Sequence, residues 1–142
     1  MIRRATPTDA DAVGRVFVAA RDEMAYLPRI PDEDRARLGP LFLERHRLWV
    51  AELDGEVAGF VGVDGGEVSH LCIDPSAQGR GIGTALLDHA KGIAPDGLTL
   101  WVFQRNTSAR RFYERHGFRL VRETDGAGNM EREPDALNAW VG

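Results

Sequence analysis

The chain has 142 residues, 43% of them hydrophobic and 28% charged, with a formal net charge of −4. That length suits one domain that buries about two thirds of the surface its unfolded chain exposes, and the composition excludes global disorder. An acidic balance excludes the basic footprint of a nucleic-acid partner, although Arg105, Arg110, Arg111, Arg115, Arg119 and Arg122 concentrate positive charge in one stretch.

In chain order, Ile2 to Ala5 reads as a first strand, and Thr6-Pro7-Thr8-Asp9 as a helix start. Thr6 or Thr8 can cap it, and Asp9 and Asp11 suit its positive end. Val13, Val16, Phe17 and Ala20 follow at helical spacing. A second helix is predicted from Asp32 to about His46, with Pro40 disturbing it. Leu48 to Leu53 is β-prone, Asp54-Gly55 is a hairpin signal, and Glu56 to Val63 is the return strand. Asp64-Gly65-Gly66 turns the chain into a strand from Glu67 to Ile73, which Asp74-Pro75 ends. A glycine-rich turn leads to a helix from about Gly81 to Gly92. Then come a strand at Leu98 to Phe103, a helix at Asn106 to His116 closed by Gly117, and a strand at Phe118 to Glu123. A loop at Asp125 to Asn129 precedes a last strand within Met130 to Val141. The order β-α-α-β-β-β-α-β-α-β-β, with its antiparallel meander, predicts an α/β (α+β) fold with one mixed sheet and helices on both faces.

One cysteine, Cys72, rules out an internal disulfide and fits a reducing cytoplasm. The opening MIRRATPTDA has no apolar stretch of the signal-peptide kind, and no apolar run approaches the ~18 residues of a membrane span, so a membrane partner is not expected. His46, His70, His89 and His116 are scattered without ligand spacing, and no metal is expected.

The segment Asp74-Pro75-Ser76-Ala77-Gln78-Gly79-Arg80-Gly81-Ile82-Gly83-Thr84 carries the chemistry. A strand enters it and a helix leaves it. Glycines allow positive φ and close backbone approach, a helix N-terminus offers unpaired N–H donors to an anion, and Arg80 adds a fixed charge. Together these make a pyrophosphate cradle; the plain alternative is a tight strand-to-helix turn. The third glycine comes too early for a dinucleotide fingerprint, and the Gly-Lys-Ser/Thr of a P-loop is missing.

Gln78-Gly79-Arg80-Gly81-Ile82-Gly83 resembles the Q/R-x-x-G-x-G/A motif of the GCN5-related N-acetyltransferase (GNAT) family. Asn106 to Phe118, reading N-T-S-A-R-R-F-Y-E-R-H-G-F, is similar to the family's second acetyl-CoA segment. The resemblance implies a single GNAT-like domain over 1–142 that transfers an acetyl group from acetyl-CoA to a primary amine of a small molecule by direct attack. It also implies that acetyl-CoA lies between the strands Glu67–Ile73 and Leu98–Phe103. Main-chain groups of Leu71 to Ile73, Cys72 among them, would meet the pantetheine arm. Gln78, Gly79, Arg80, Gly81, Ile82, Gly83 and Thr84 would hold the pyrophosphate, while Asn106 and Arg110 would assist in binding. A homodimer is a common assembly in this family.

Tyr113 takes the place of the general acid that protonates the departing thiolate; the plain alternative is a core tyrosine. For a base, Glu67 and His70 are both candidates, as is a water chain. Side chains alternate along a strand, so these two face opposite ways unless a bulge intervenes. Cys72 reads as a small core residue rather than a nucleophile. Met24, Tyr26, Leu27 and Pro28 form one expected wall of the acceptor site and Asp125 to Met130 the other, with Glu131, Glu133 and Asp135 placed to attract a cationic amine. Trp140 reads as a packing residue. The alternative function is a non-catalytic acyl-CoA sensor or interaction domain of the same fold, which would have no need of Tyr113.

Overall fold

The computed structural model describes residues 1–142. The strands are β1 (Ile2–Arg4), β2 (Leu48–Leu53), β3 (Glu56–Asp64), β4 (Glu67–Ile73), β5 (Gly97–Phe103), β6 (Arg119–Thr124) and β7 (Asp135–Val141). The helices are α1 (Ala10–Asp22), α2 (Asp32–Arg45), α3 (Ile82–Ile93) and α4 (Thr107–Arg115). Element order and type follow the sequence expectation throughout. The strands form one mixed sheet in the order β1-β2-β3-β4-β5-β7-β6. β7 enters between β5 and β6, and only β4 and β5 are parallel.

Alternation along the strands sorts the core to two faces. On one, Val61, Val63, Val68, Leu98, Leu100 and Val102 pack with Leu86, Leu87 and Ala90 of α3, and Phe112, Tyr113 and Trp140 lie against them. On the other, Val50, Val57 and Phe60 pack with Val13 and Val16 of α1. Phe60 is fully buried, and truncating it to alanine would cost about 3–5 kcal/mol.

A turn of 3-10 helix at Pro7–Asp9 precedes α1, and the expected cap is reciprocal. The Thr6 N–H donates to Asp9 Oδ2 at 2.8 Å, and Arg3 clamps the same carboxylate at 2.8 and 2.9 Å. The Arg3 guanidinium holds the Asp9 carboxyl down at about 2. Pro40 does not break α2. It is exposed, as is Ala36, so the carbonyl it leaves without a donor can meet water. Beside it, Gly39 lets the helices approach: a Cβ there would fall inside the Ala10 carbonyl.

Helix α4 is capped at both ends. Asn106 caps α4, its side chain accepting from the Ala109 N–H at 3.3 Å. Gly117 (φ 88°) ends the same helix, with the Gly117 N–H on the Glu114 carbonyl at 3.1 Å and the Phe118 N–H on Tyr113 at 3.0 Å. This paired arrangement is a Schellman cap.

Candidate active site

The site begins where β4 and β5 part. They pair at Glu67 and Thr99, and no further pair follows toward Ile73 and Phe103. The two strands therefore splay, and β4 keeps main-chain groups without a strand partner. Which groups these are follows from the ladder. The Asp74 N–H donates to the Ala58 carbonyl at 2.8 Å, and Cys72 and His70 pair with Phe60 and Gly62. Main-chain groups alternate in an antiparallel pair, so Asp74, Cys72 and His70 point theirs at β3. Leu71 and Ile73 point theirs into the gap, and the Cys72 main chain does not.

A bulge shapes the entrance. Gly62 pairs with His70 and Val63 with Val68, which leaves Ser69 as the extra residue. It brings Glu67 and His70 to the same face of β4, the intervention on which the expectation of opposite faces depended. Even so, Glu67 is exposed at the turn end of the strand, outside the cleft lining. His70 sits among aromatic rings, with Phe42 at 4.5 Å, Phe17 at 5.9 Å and Phe60 at 6.0 Å. Burial, helped by the nearby His46, lowers its pKa to about 4. It is neutral at pH 7 and a weak proton acceptor.

The gap opens into a cleft of about 680 Å³. From the α3–α4 face it is lined by Leu100, Val102, Ala109 and Tyr113, and from the other by Met24, Trp101, Arg122, Thr124, Asn129 and Asp135. Tyr113 packs its ring between Phe112 at 5.4 Å and Phe118 at 5.6 Å. Its hydroxyl makes no hydrogen bond to protein, and burial raises its pKa well above that of a free phenol. The group stays protonated and retains a proton to donate. Burial also pushes the Cys72 thiol up to about 12, so a thiolate nucleophile is disfavoured.

At the head of the gap, Asp74 accepts from the Ser76 N–H at 3.0 Å and folds the chain into a short turn. Gly79 (φ 80°) and Gly81 (φ 77°) then take left-handed conformations, and nothing lies within 4 Å of a Cβ built on either. Gly81 is the N-cap of α3, and the first helical bond runs from the Ala85 N–H to the Gly81 carbonyl at 3.0 Å. The N–H groups of Ile82, Gly83 and Thr84 therefore have no helical acceptor. Gly83 is not in the left-handed region; a Cβ there would sit 3.4 Å from Phe112. Gln78 and Arg80 are exposed on the same loop.

Asn106 lines the cleft and places its amide nitrogen 3.9 Å from Met24 Sδ. Arg110 turns from the cradle, with Nη1 3.5 Å from the Gln104 carbonyl and 3.6 Å from Glu123. On the acceptor side, Met24, Gly128, Asn129, Glu131 and Asp135 line the cleft, while Glu133 is buried and ion-paired with Arg105 at 3.0 Å. Tyr26 packs against Phe103 of β5 at 6.3 Å, and Arg21 at the end of α1 bridges to Glu131 at 3.6 Å. Sequence reading missed Ser69, Trp101, Arg122 and Thr124. The last three become legible only once β7 is known to lie between β5 and β6.

A parallel pair that splays beside a phosphate cradle is the architecture of an acyl-CoA-dependent acyltransferase, and comparison with known proteins agrees. Residues 44–120 match the acetyltransferase (GNAT) domain family. The peptidyl-lysine N-acetyltransferase YiaC of Escherichia coli is 30% identical over 132 residues, covering 85% of this chain and 84% of that protein. The peptidyl-lysine N-acetyltransferase YjaB of Salmonella typhimurium is 43% identical over 81 residues, 56% of this chain and 55% of that one. The solution structure of apo YjaB from Escherichia coli superposes with a TM-score of 0.80 at 28% identity, covering 100% of this chain and 97% of that one. The chain belongs to the GNAT family. It is an acyl-CoA-dependent acetyltransferase, and acetyl-CoA is its co-substrate. No helix is long and apolar enough to cross a membrane.

Proposed function

We propose that the protein transfers the acetyl group of acetyl-CoA to a primary alkyl amine of a small molecule in the cytoplasm. The observation that carries this reading is the union, in one cleft, of the splayed β4–β5 gap with a protonated, unpartnered Tyr113 hydroxyl. Leu71 and Ile73 offer main-chain groups to the pantetheine arm. The open glycine cradle and the free N–H groups of Ile82 to Thr84 suit the pyrophosphate. The thioester then lies near the Ser69 bulge. The amine nitrogen attacks the thioester carbon, the C–N bond forms as the C–S bond breaks, the thiolate takes a proton from Tyr113, and the nitrogen, cationic once bonded, releases its extra proton through water to restore the Tyr113 hydroxyl. Tyr113 is the catalytic residue; holding the two reactants together supplies much of the remaining rate gain.

The amine must arrive neutral. His70 is too weak a base and Glu67 stands outside the cleft, so the proton leaves to water at the cleft mouth. Glu131 and Asp135 favour the ammonium form on approach. YiaC and YjaB are peptidyl-lysine acetyltransferases, which favours a second reading in which the amine is a lysine side chain of a protein. Incubating the protein with acetyl-CoA and, separately, small primary amines and lysine peptides tests both, read by thiol release and product mass. Acetylation of the small amines supports the first reading, acetylation of peptides alone supports the second, and thiol release with neither product overturns both.

A further inference from the structure

Three charged side chains line the cleft: Arg122, Glu131 and Asp135. Asp135 accepts on both carboxylate oxygens, one taking the Thr124 hydroxyl and the other the Asn129 amide at 3.1 Å, and each oxygen keeps a further lone pair. Glu131 faces Arg21 at 3.6 Å. Arg122 has neither an ion pair nor a hydrogen bond. Its guanidinium lies over the Trp101 ring, 5.4 Å from the centroid. Three other arginines near the acceptor side are engaged: Arg21 with Glu131, Arg105 with Glu133, and Arg110 with Glu123.

Strand register fixes where this free charge sits. Trp101 and Arg122 both pair with Leu137, from opposite sides of β7. Paired residues share a face, so both side chains stand on the face opposite Leu100 and Val102, away from α3. α1 packs over β3 and β4 on that face and leaves β5, β7 and β6 open. Counting from the Glu67–Thr99 pair, Trp101 is level with the Ser69 bulge. The Arg122 guanidinium thus lies on the open face of the sheet, in the cleft into which the gap opens. A guanidinium held over an indole by its cation–π attraction, with no other partner, has N–H edges free for the bidentate geometry that suits a carboxylate.

We infer that Arg122, seated on Trp101, binds a carboxylate of the acceptor, so that the substrate is a primary amine carrying a carboxylate in the same molecule. This rests on the acetyl-transfer reading above. Glu131 and Asp135 in the same cleft suit the amine end and Arg122 suits the acid end, so the cleft matches a zwitterion better than a simple cation.

The test uses a series of ω-amino acids of increasing chain length and their carboxamides as acceptors, with wild type, Arg122→Gln and Arg122→Lys. Wild type is expected to prefer acid over amide by about tenfold in kcat/KM at the best chain length, the worth of one charge-assisted hydrogen-bonded contact. Arg122→Gln brings acid and amide to parity, mainly by raising KM for the acid, and Arg122→Lys keeps part of the preference. Equal use of acid and amide by wild type, or a preference that survives in Arg122→Gln, overturns the assignment. Acetylation of amides without acids leaves the transfer reading standing and removes Arg122 from it. Acetylation of neither series overturns the assignment of Arg122 and the small-amine reading together, and leaves the lysine-peptide reading to its own assay.

Discussion

His116 joins the end of α4 to the first turn of α3: its Nδ1 lies 2.7 Å from the Phe112 carbonyl oxygen and its Nε2 3.1 Å from the Thr84 hydroxyl. A carbonyl only accepts, so Nδ1 carries the proton, and in the neutral ring Nε2 takes the Thr84 proton. The hydroxyl of a cradle residue is thereby oriented from a second helix. His116→Ala and Thr84→Val are each expected to raise KM for acetyl-CoA about three- to tenfold while kcat changes little. The double variant should be no worse than the poorer single one, because the two act as a unit. Additive losses would show that the contact carries nothing.

Two glycines of the motif hold their places for different reasons. Gly81 needs positive φ and faces open space, whereas Gly83 is helical and faces Phe112. In Gly81→Val the backbone is strained by roughly 1–2 kcal/mol, and a branched side chain stands where phosphate must approach. Acetyl-CoA affinity should fall at least tenfold. Gly83→Ala asks only for a slight shift of the Phe112 ring and should retain affinity within a few-fold. Calorimetric titration of both variants checks the order, and equal losses would mean that the cradle is misplaced.

Tyr113→Phe removes one hydroxyl that makes no hydrogen bond to protein and keeps the ring packing between Phe112 and Phe118. The fold and acetyl-CoA affinity should be nearly unchanged. Turnover should drop by about 10²-fold, the low end for general acid assistance, since a thiolate is a fair leaving group. Full turnover under single-turnover conditions would return Tyr113 to the role of a packing residue.

The pH behaviour separates stability from catalysis. The folded-state pKa of His70 is about 4, below its ordinary 6.5. Between these values the unfolded chain binds more protons than the folded one, so stability rises with pH across that window and is lost as pH falls through it. The thermal midpoint of wild type should decline from pH 6.5 to pH 4, and His70→Gln should flatten part of that slope. Catalysis should follow a different curve. With no cleft histidine titrating near neutrality, kcat/KM should keep rising with pH as the free amine becomes available. A plateau set by a group near pH 7, and abolished in His70→Gln, would restore His70 as the base.

Local signals made much of this legible in advance. Asp54-Gly55 and Gly65-Gly66 adopt positive φ at their hairpins, as those residue pairs require. Asn106 and Gly117 bound α4 because one accepts at a helix start and the other tolerates the left-handed cap. What escaped the sequence is non-local. Nothing in Asp135 to Val141 says that it slides between β5 and β6, yet that pairing sets Trp101 and Arg122 side by side. The Ser69 bulge depends on which residues of β3 oppose β4. Arg110 carries the right charge at the right motif position, but Glu123 on a strand still to come draws it aside. Pro40 reads as a break, and only its exposure and that of Ala36 in the folded chain show why α2 continues.

The central claim is that the gap between β4 and β5 receives acetyl-CoA as though it were another strand. Amide hydrogen exchange of Leu71, Ile73 and Ile82 to Thr84, with and without saturating acetyl-CoA, tests it most directly. These N–H groups have no protein acceptor, so they should exchange fast in the free protein and slow markedly with the ligand bound, while the Cys72 and His70 amides, already committed to β3, change less. If Leu71 and Ile73 exchange equally fast with acetyl-CoA bound, the donor does not lie in this gap and the account is contradicted.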